Sequence, residues 1–88
     1  MKKKNGRELR KRVNKLIRAA KKVYPKVKYN VIIPGTWQYD ATIEFFSPAK
    51  YEDRLDRVLD PMAAHMSFNE GYFIGALTLP NGRQPTAS

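Results

Sequence analysis

The chain has no cysteine among its 88 residues, so disulfides and thiolate metal sites are excluded. It has one histidine, His65. A lone imidazole with no thiol beside it makes neither a metal-ligand set nor a nucleophile–base pair, so His65 reads as a packing residue at the edge of a helix. Five glycines are present, none in the clustered pattern that cradles a phosphate. No apolar run approaches the roughly 18 residues that a membrane span needs. The opening MKKK resembles the charged start of a secretory leader, but no apolar segment follows it. The expectation is a cytoplasmic, cofactor-free, single-domain protein. Acidic residues are also scarce where they would matter most, since residues 1–28 contain only Glu8.

Cations fill that stretch. Residues 1–28 hold thirteen of the seventeen Lys and Arg residues, a local charge of +12. The remainder holds four cations and seven acids, a charge of −3, and the two segments sum to the overall +9. Such asymmetry points to a polyanionic partner more strongly than a uniform excess would.

The first helix is expected from Gly6 or Arg7 to Tyr24, with Pro25 ending it. Leu9, Val13, Leu16, Ile17, Ala20, Val23 and Tyr24 recur at helical spacing and share an arc of about 120°. Arg7, Arg10, Lys11, Lys15, Arg18, Lys21 and Lys22 occupy the opposite side, and Arg12 stands at the border. Two strands follow, KVKYNVII (26–33) and WQYDATIEFF (37–46), each with period-two alternation. Pro34-Gly35 between them suits a type II turn and an antiparallel hairpin. The odd-numbered residues, Tyr39 among them, form the apolar face. Trp37 borders the turn, where it either caps the core or projects from the hairpin tip. The even-numbered face sets Lys26 and Lys28 against Asp40 and Glu44 as cross-strand pairs.

SPAKYEDRLDRVLDPMAAHM (47–66) is expected to be a second helix, N-capped by Ser47 with Pro48 in its first turn. Its buried stripe is Tyr51, Leu55, Val58, Leu59, Met62 and Met66, and Pro61 should kink or break it. SFNEG (67–71) reads as a loop and YFIGALTL (72–79) as a third strand. Residues 1–5 read as a basic flexible arm, 6–80 as one domain and 81–88 as a disordered tail.

The element order α-β-β-α-β predicts an α+β two-layer sandwich with both helices on one face of a three-stranded antiparallel sheet of order 2-1-3. The other face is left open, carrying Ile32, Phe46, Tyr72 and Ile74, and is a candidate surface for a partner or for homo-oligomerisation.

A solvated helix surface normally mixes charge signs, with Glu four residues before Lys. Here like charges at 7/11, 11/15 and 18/22 repel one another, a cost that solubility does not require. The seven outer cations are therefore the candidate nucleic-acid-binding residues, with Lys2 to Lys4 and Lys26 or Lys28 extending the patch. An anionic membrane fits poorly, because the core needs the helix's apolar side. Asp40 and Glu44, with Glu70 in reach, have the residue types of a Mg²⁺ nuclease, but no lysine accompanies Glu44 in IEF. The aromatic strand motifs of the RRM and the Gly-x-x-Gly clamp of KH domains are both missing, and the element order is not that of a double-stranded-RNA-binding domain. The expectation is a non-enzymatic nucleic-acid-binding protein, DNA or RNA, without metal. The alternative is a small inhibitor or adaptor, of the kind phages aim at host nucleic-acid machinery, docking its basic face on an acidic protein surface.

Overall fold

A computed structural model describes residues 6–35 and 39–80. The expected basic arm, the expected tail and Trp37 lie outside the described residues. The element order is the expected one: helix α1 Gly6–Val23, strands β1 Lys28–Ile32 and β2 Ala41–Ser47, helix α2 Glu52–Glu70, and strand β3 Ile74–Pro80. A single 3₁₀ turn, Ala49–Tyr51, leads into α2.

The sheet is not the expected antiparallel 2-1-3 arrangement. β2 is central, β1 pairs with it antiparallel, and β3 pairs with it parallel. Two-sided burial explains the difference. Ala41, Ile43 and Phe45 are buried on one face of β2, and Thr42, Phe46 and Ser47 are buried as well. A strand with no wet face belongs in the middle of a sheet. β1 keeps Lys28 and Asn30 exposed and is better suited to an edge. The start of β3 is fastened to the start of β2 by a reciprocal pair of bonds. Asp40 N–H donates to the Phe73 carbonyl (2.7 Å), and Phe73 N–H donates to Asp40 Oδ2 (2.8 Å).

The connection between β1 and β2 is longer than a tight turn. Register pairs Ile32 with Thr42, leaving residues 33–40 between the strands. Gly35 N–H donates to the Asp40 carbonyl at 3.1 Å, and a Cβ on Gly35 would stand 2.7 Å from the Ala41 carbonyl carbon. Strand alternation therefore does not reach Tyr39, which is half exposed instead of buried in the core, with its ring lying over Gly75. Among the described residues, the partners seen for Lys28, Glu44 and Asp40 differ from the expected lysine–acid pairs. Lys28 faces Phe46, Asn30 Nδ2 donates to Glu44 Oε1 (3.1 Å), and Asp40 is held by Phe73.

Both helices cover the face bearing Ile43, Phe45 and Ile74, where Val13, Leu16, Ile17 and Ala20 of α1 meet Leu55, Leu59 and Met66 of α2. α2 differs from expectation at both ends, and of the two outcomes expected at Pro61 the break is excluded. Ser47 is the buried end of β2 and its hydroxyl donates to the Pro48 carbonyl, so it caps nothing. The helix runs unbroken through Pro61, which lies on the exposed side, where the carbonyl it leaves unpaired can be hydrated. SFNEG is helical, not a loop. The helix ends at Gly71, whose left-handed φ of 75° turns the chain, and Tyr72 N–H closes the end on the Met66 carbonyl (3.0 Å). Ile74, expected on the open face, is buried beneath the helices.

Candidate nucleic-acid interface

The two helices run antiparallel. Arg12 near the start of α1 bonds Glu70 at the end of α2, and Tyr24 after α1 stacks on Tyr51 before α2 with ring centroids 4.6 Å apart. A groove follows their outer seam. Its first stretch is lined by Lys11, Arg12, Lys15 and Arg18 with Glu8, Met66 and Glu70. The next is bounded by Lys15 against Pro61, Met62 and His65. The last, about 550 Å³, lies between Lys15, Arg18 and Lys22 on α1 and Val58 and Met62 on α2. Val58, expected in the buried stripe, sits at its α1-facing border and opens onto this groove.

The seven candidate cations are all exposed, but they do not form one surface. Lys11, Lys15, Arg18 and Lys22 turn toward the groove. Lys21 turns the other way, with Nζ 5.5 Å from the centre of the Tyr29 ring. Arg10 lies on the same row of the helix, eleven residues earlier. Arg7 stands on the outer surface in the first turn. Lys28, a candidate extension of the patch, is on the opposite side of the sheet, sharing the open face with Phe46 and Leu79.

Arg12, at the border of the apolar arc, has a different task. Its Nε donates to Glu70 Oε1 (2.7 Å), and its Nη1 donates to Glu8 Oε1 (3.1 Å) and to the Glu8 carbonyl (2.9 Å). The guanidinium carbon stands 4.2 Å from the centre of the Tyr72 ring, a stacked cation–π arrangement. The hydrogen bond from Arg12 holds both Glu8 and Glu70 below the usual glutamate range, and the bond to Glu70 raises Arg12 further. Lys11 pairs with Glu8 at 3.3 Å, and Lys15 acts on Glu70 only at longer range. Sequence reasoning missed this clasp. The border position of Arg12 was the available signal, but its partner lies 58 residues away.

At the other end of the groove, among the described residues, no acid pairs with α1. Arg18 and Lys22 form no ion pair among the described residues, and the wall facing them is apolar. Three acids of α2 are engaged elsewhere: Asp53 with Arg57 (2.9 Å), Asp56 with the Thr78 hydroxyl (2.9 Å) and Glu70 with Arg12 (2.7 Å).

Asp40, Glu44 and Glu70, the nuclease candidates, are held by Phe73, Asn30 and Arg12 respectively. Among the described residues no three His, Cys, Asp or Glu side chains gather as a metal site, and no helix is long and apolar enough to cross a membrane. Set against known proteins, the chain matches no family model, no curated protein and no solved structure.

Proposed function

We propose that the protein binds nucleic acid without catalysis, through phosphate contacts from the groove side of α1. The observation that supports this reading is the run Lys15, Arg18 and Lys22, which forms no ion pair among the described residues and which, in the last stretch of the groove, faces the apolar Val58 and Met62 of α2, while Glu70 at the other end is bound to Arg12. Like charges one turn apart cost stability unless an anion neutralises them, and phosphates do so with release of counterions. Lys11 extends the run, and Arg7, Arg10 and Lys21 supply charge at its borders. Contacts of this kind position a backbone without reading its sequence. Fluorescence anisotropy of labelled DNA and RNA at several salt concentrations tests it. Binding that persists near physiological salt and weakens steeply above it is the expected result, and negligible binding there would refute the reading.

The open face of the sheet supports a second reading, contact with protein. Leu77 and Tyr39 are nearly half exposed there, beside Ile32 and Leu79. A second copy, or the acidic surface of a target that this protein would inhibit or adapt, is the occupant in that case. Sedimentation across a concentration series separates self-association from monomer.

A further inference from the structure

Phe68 is 85% exposed, the most exposed large apolar side chain among the described residues. It is not isolated. At 100° per residue it continues the row of α2 that holds Pro61 and His65, both of which line the groove. His65 is itself 61% exposed at its side chain. The outer edge of α2 thus carries Val58, Pro61, Met62, His65 and Phe68, apolar and aromatic up to Glu70, which stands 3.5 Å from His65 Nε2 and is held by Arg12. Across the seam stands the cationic wall of Lys11, Lys15, Arg18 and Lys22. Because the helices are antiparallel, the last turns of α2, which carry Phe68, run alongside the first half of α1, where Met66 on another side of the same helix shares a cavity with Lys11 and Lys15.

We propose that the groove takes single-stranded nucleic acid, with phosphates on the α1 wall and unpaired bases on the α2 wall. The inference rests on the polyanion reading and specifies its substrate. Charge complementarity selects an anionic chain, and the wall opposite selects one whose apolar parts are accessible. A duplex keeps its bases stacked inside and would meet only the cations, leaving the Phe68 ring in water. A single strand offers both components side by side. His65 and Phe68 are three residues apart on one helix, so their Cβ atoms are about 5–6 Å apart. Neighbouring bases of an unstacked strand can therefore lie on both rings. From Val58 to Phe68 the wall is about 15 Å long, room for roughly three nucleotides at the ~5–6 Å spacing of the two rings.

The test is anisotropy with a labelled single-stranded 12-mer, as DNA and as RNA, and with its duplex, using the full chain and the variants Phe68→Ala and Phe68→Trp. The expected result is tighter binding of the single strand. Phe68→Ala should weaken it roughly 5- to 150-fold, the range for loss of one stacked base, and change duplex binding less than about twofold. Phe68→Trp should restore single-strand affinity. Such an exposed side chain contributes little to the core, so an unchanged melting temperature will show that the fold is intact. If Phe68→Ala leaves single-strand binding unchanged, or weakens duplex binding equally, the inference fails while the polyanion reading stands. If no nucleic acid binds near physiological salt, the polyanion reading itself fails. Binding of an acidic amphipathic peptide that nucleic acid does not displace would overturn the inference in favour of a protein partner.

Discussion

Removing Lys15, Arg18 and Lys22 together is the most direct perturbation of the groove. Each is exposed and, among the described residues, none forms an ion pair, so alanine at these positions removes only the longer-range attraction of Lys15 for Glu70 and suits a helix. The fold should remain, and removal of like-charge repulsion should leave α1 no less stable. The effect on binding follows from counterion release. Each phosphate neutralised contributes about 0.7 to the slope of log K against log salt on a single strand, and about 0.9 on a duplex. Loss of three contacts should therefore flatten the slope by about 2 on a single strand and by about 2.7 on a duplex. If release vanishes near 1 M salt, the affinity lost on a single strand is about 50-fold at 0.15 M and about 500-fold at 0.05 M. The defect grows as salt falls, which distinguishes it from a loss of packing.

Net charge alone also affects affinity, and a matched variant separates the two. Lys28→Ala, Lys50→Ala and Arg57→Ala together lower the formal charge from +9 to +6, as the groove triple does, yet none of the three lines the groove. Lys28 is on the open sheet face, Lys50 stands 5.4 Å from the Tyr51 ring, and Arg57 is paired with Asp53. The assay is anisotropy at five or more salt concentrations for both triples, with circular dichroism to verify the helices. A groove triple whose slope matches that of the unaltered protein would refute the reasoning, as would equal flattening by both triples.

Phe45→Ala should cost about 3–5 kcal/mol, because Phe45 is wholly buried on the central strand; urea denaturation checks it against a total of about 5–15 kcal/mol for a domain. Gly71→Ala should cost about 1–2 kcal/mol, since φ is 75° and only the backbone conformation resists the added methyl group, as a shift in the urea midpoint will show. The Arg12 clasp should be sensitive to acid. Glu8 and Glu70 titrate below their ordinary range when folded, so their contribution is present above the unfolded glutamate value, about 4.3, and is lost as pH falls through the lower folded value. The melting temperatures of the unaltered protein and of Glu70→Gln should therefore differ near pH ~6 and converge as pH falls below the lower folded value.

Helix α1 was legible in the sequence because its two faces differ in every turn, and the buried positions Val13, Leu16, Ile17 and Ala20 are those the spacing selects. The strands were legible as strands, but their order was not. Alternation in YDATIEFF suggests one wet face, because Asp40, Thr42 and Glu44 are polar. Thr42 is nevertheless buried, close under the Gly35 loop, and Phe46 is buried between Lys28 and Leu79 on the neighbouring strands. A polar residue that is buried by a loop looks, in one dimension, like one in water. The end of α2 was missed for a related reason: Ser67, Asn69 and Gly71 have loop chemistry, yet the glycine serves as the cap of a helix that passes over them. The cationic candidates were legible as a set. Their division into a groove side and a β1 side depends on where α2 lies, and periodicity within α1 carries no such information.

That division gives the basic helix two electrostatic regimes. At its start, positive charge is structural. Arg12 is gripped by Glu8 and Glu70 and stacked on Tyr72, with its side chain only 20% exposed. This clasp ties the start of α1 to the end of α2, as the Tyr24–Tyr51 stack ties the opposite ends. With both ends of the helix pair held, packing places no demand on the charge of the exposed positions between them. Lys15, Arg18 and Lys22 sit there, and among the described residues none forms an ion pair; Glu70, the α2 acid that lines the groove, is bound to Arg12 and acts on Lys15 only at longer range. Glutamate at any of the three positions would be as soluble and would relieve the repulsion. A fold that required only solubility would have no reason to concentrate one sign along one wall of a groove and leave a phenylalanine in water on the other. The proposed ligand, anionic along one edge and apolar along the other, would account for the two features together.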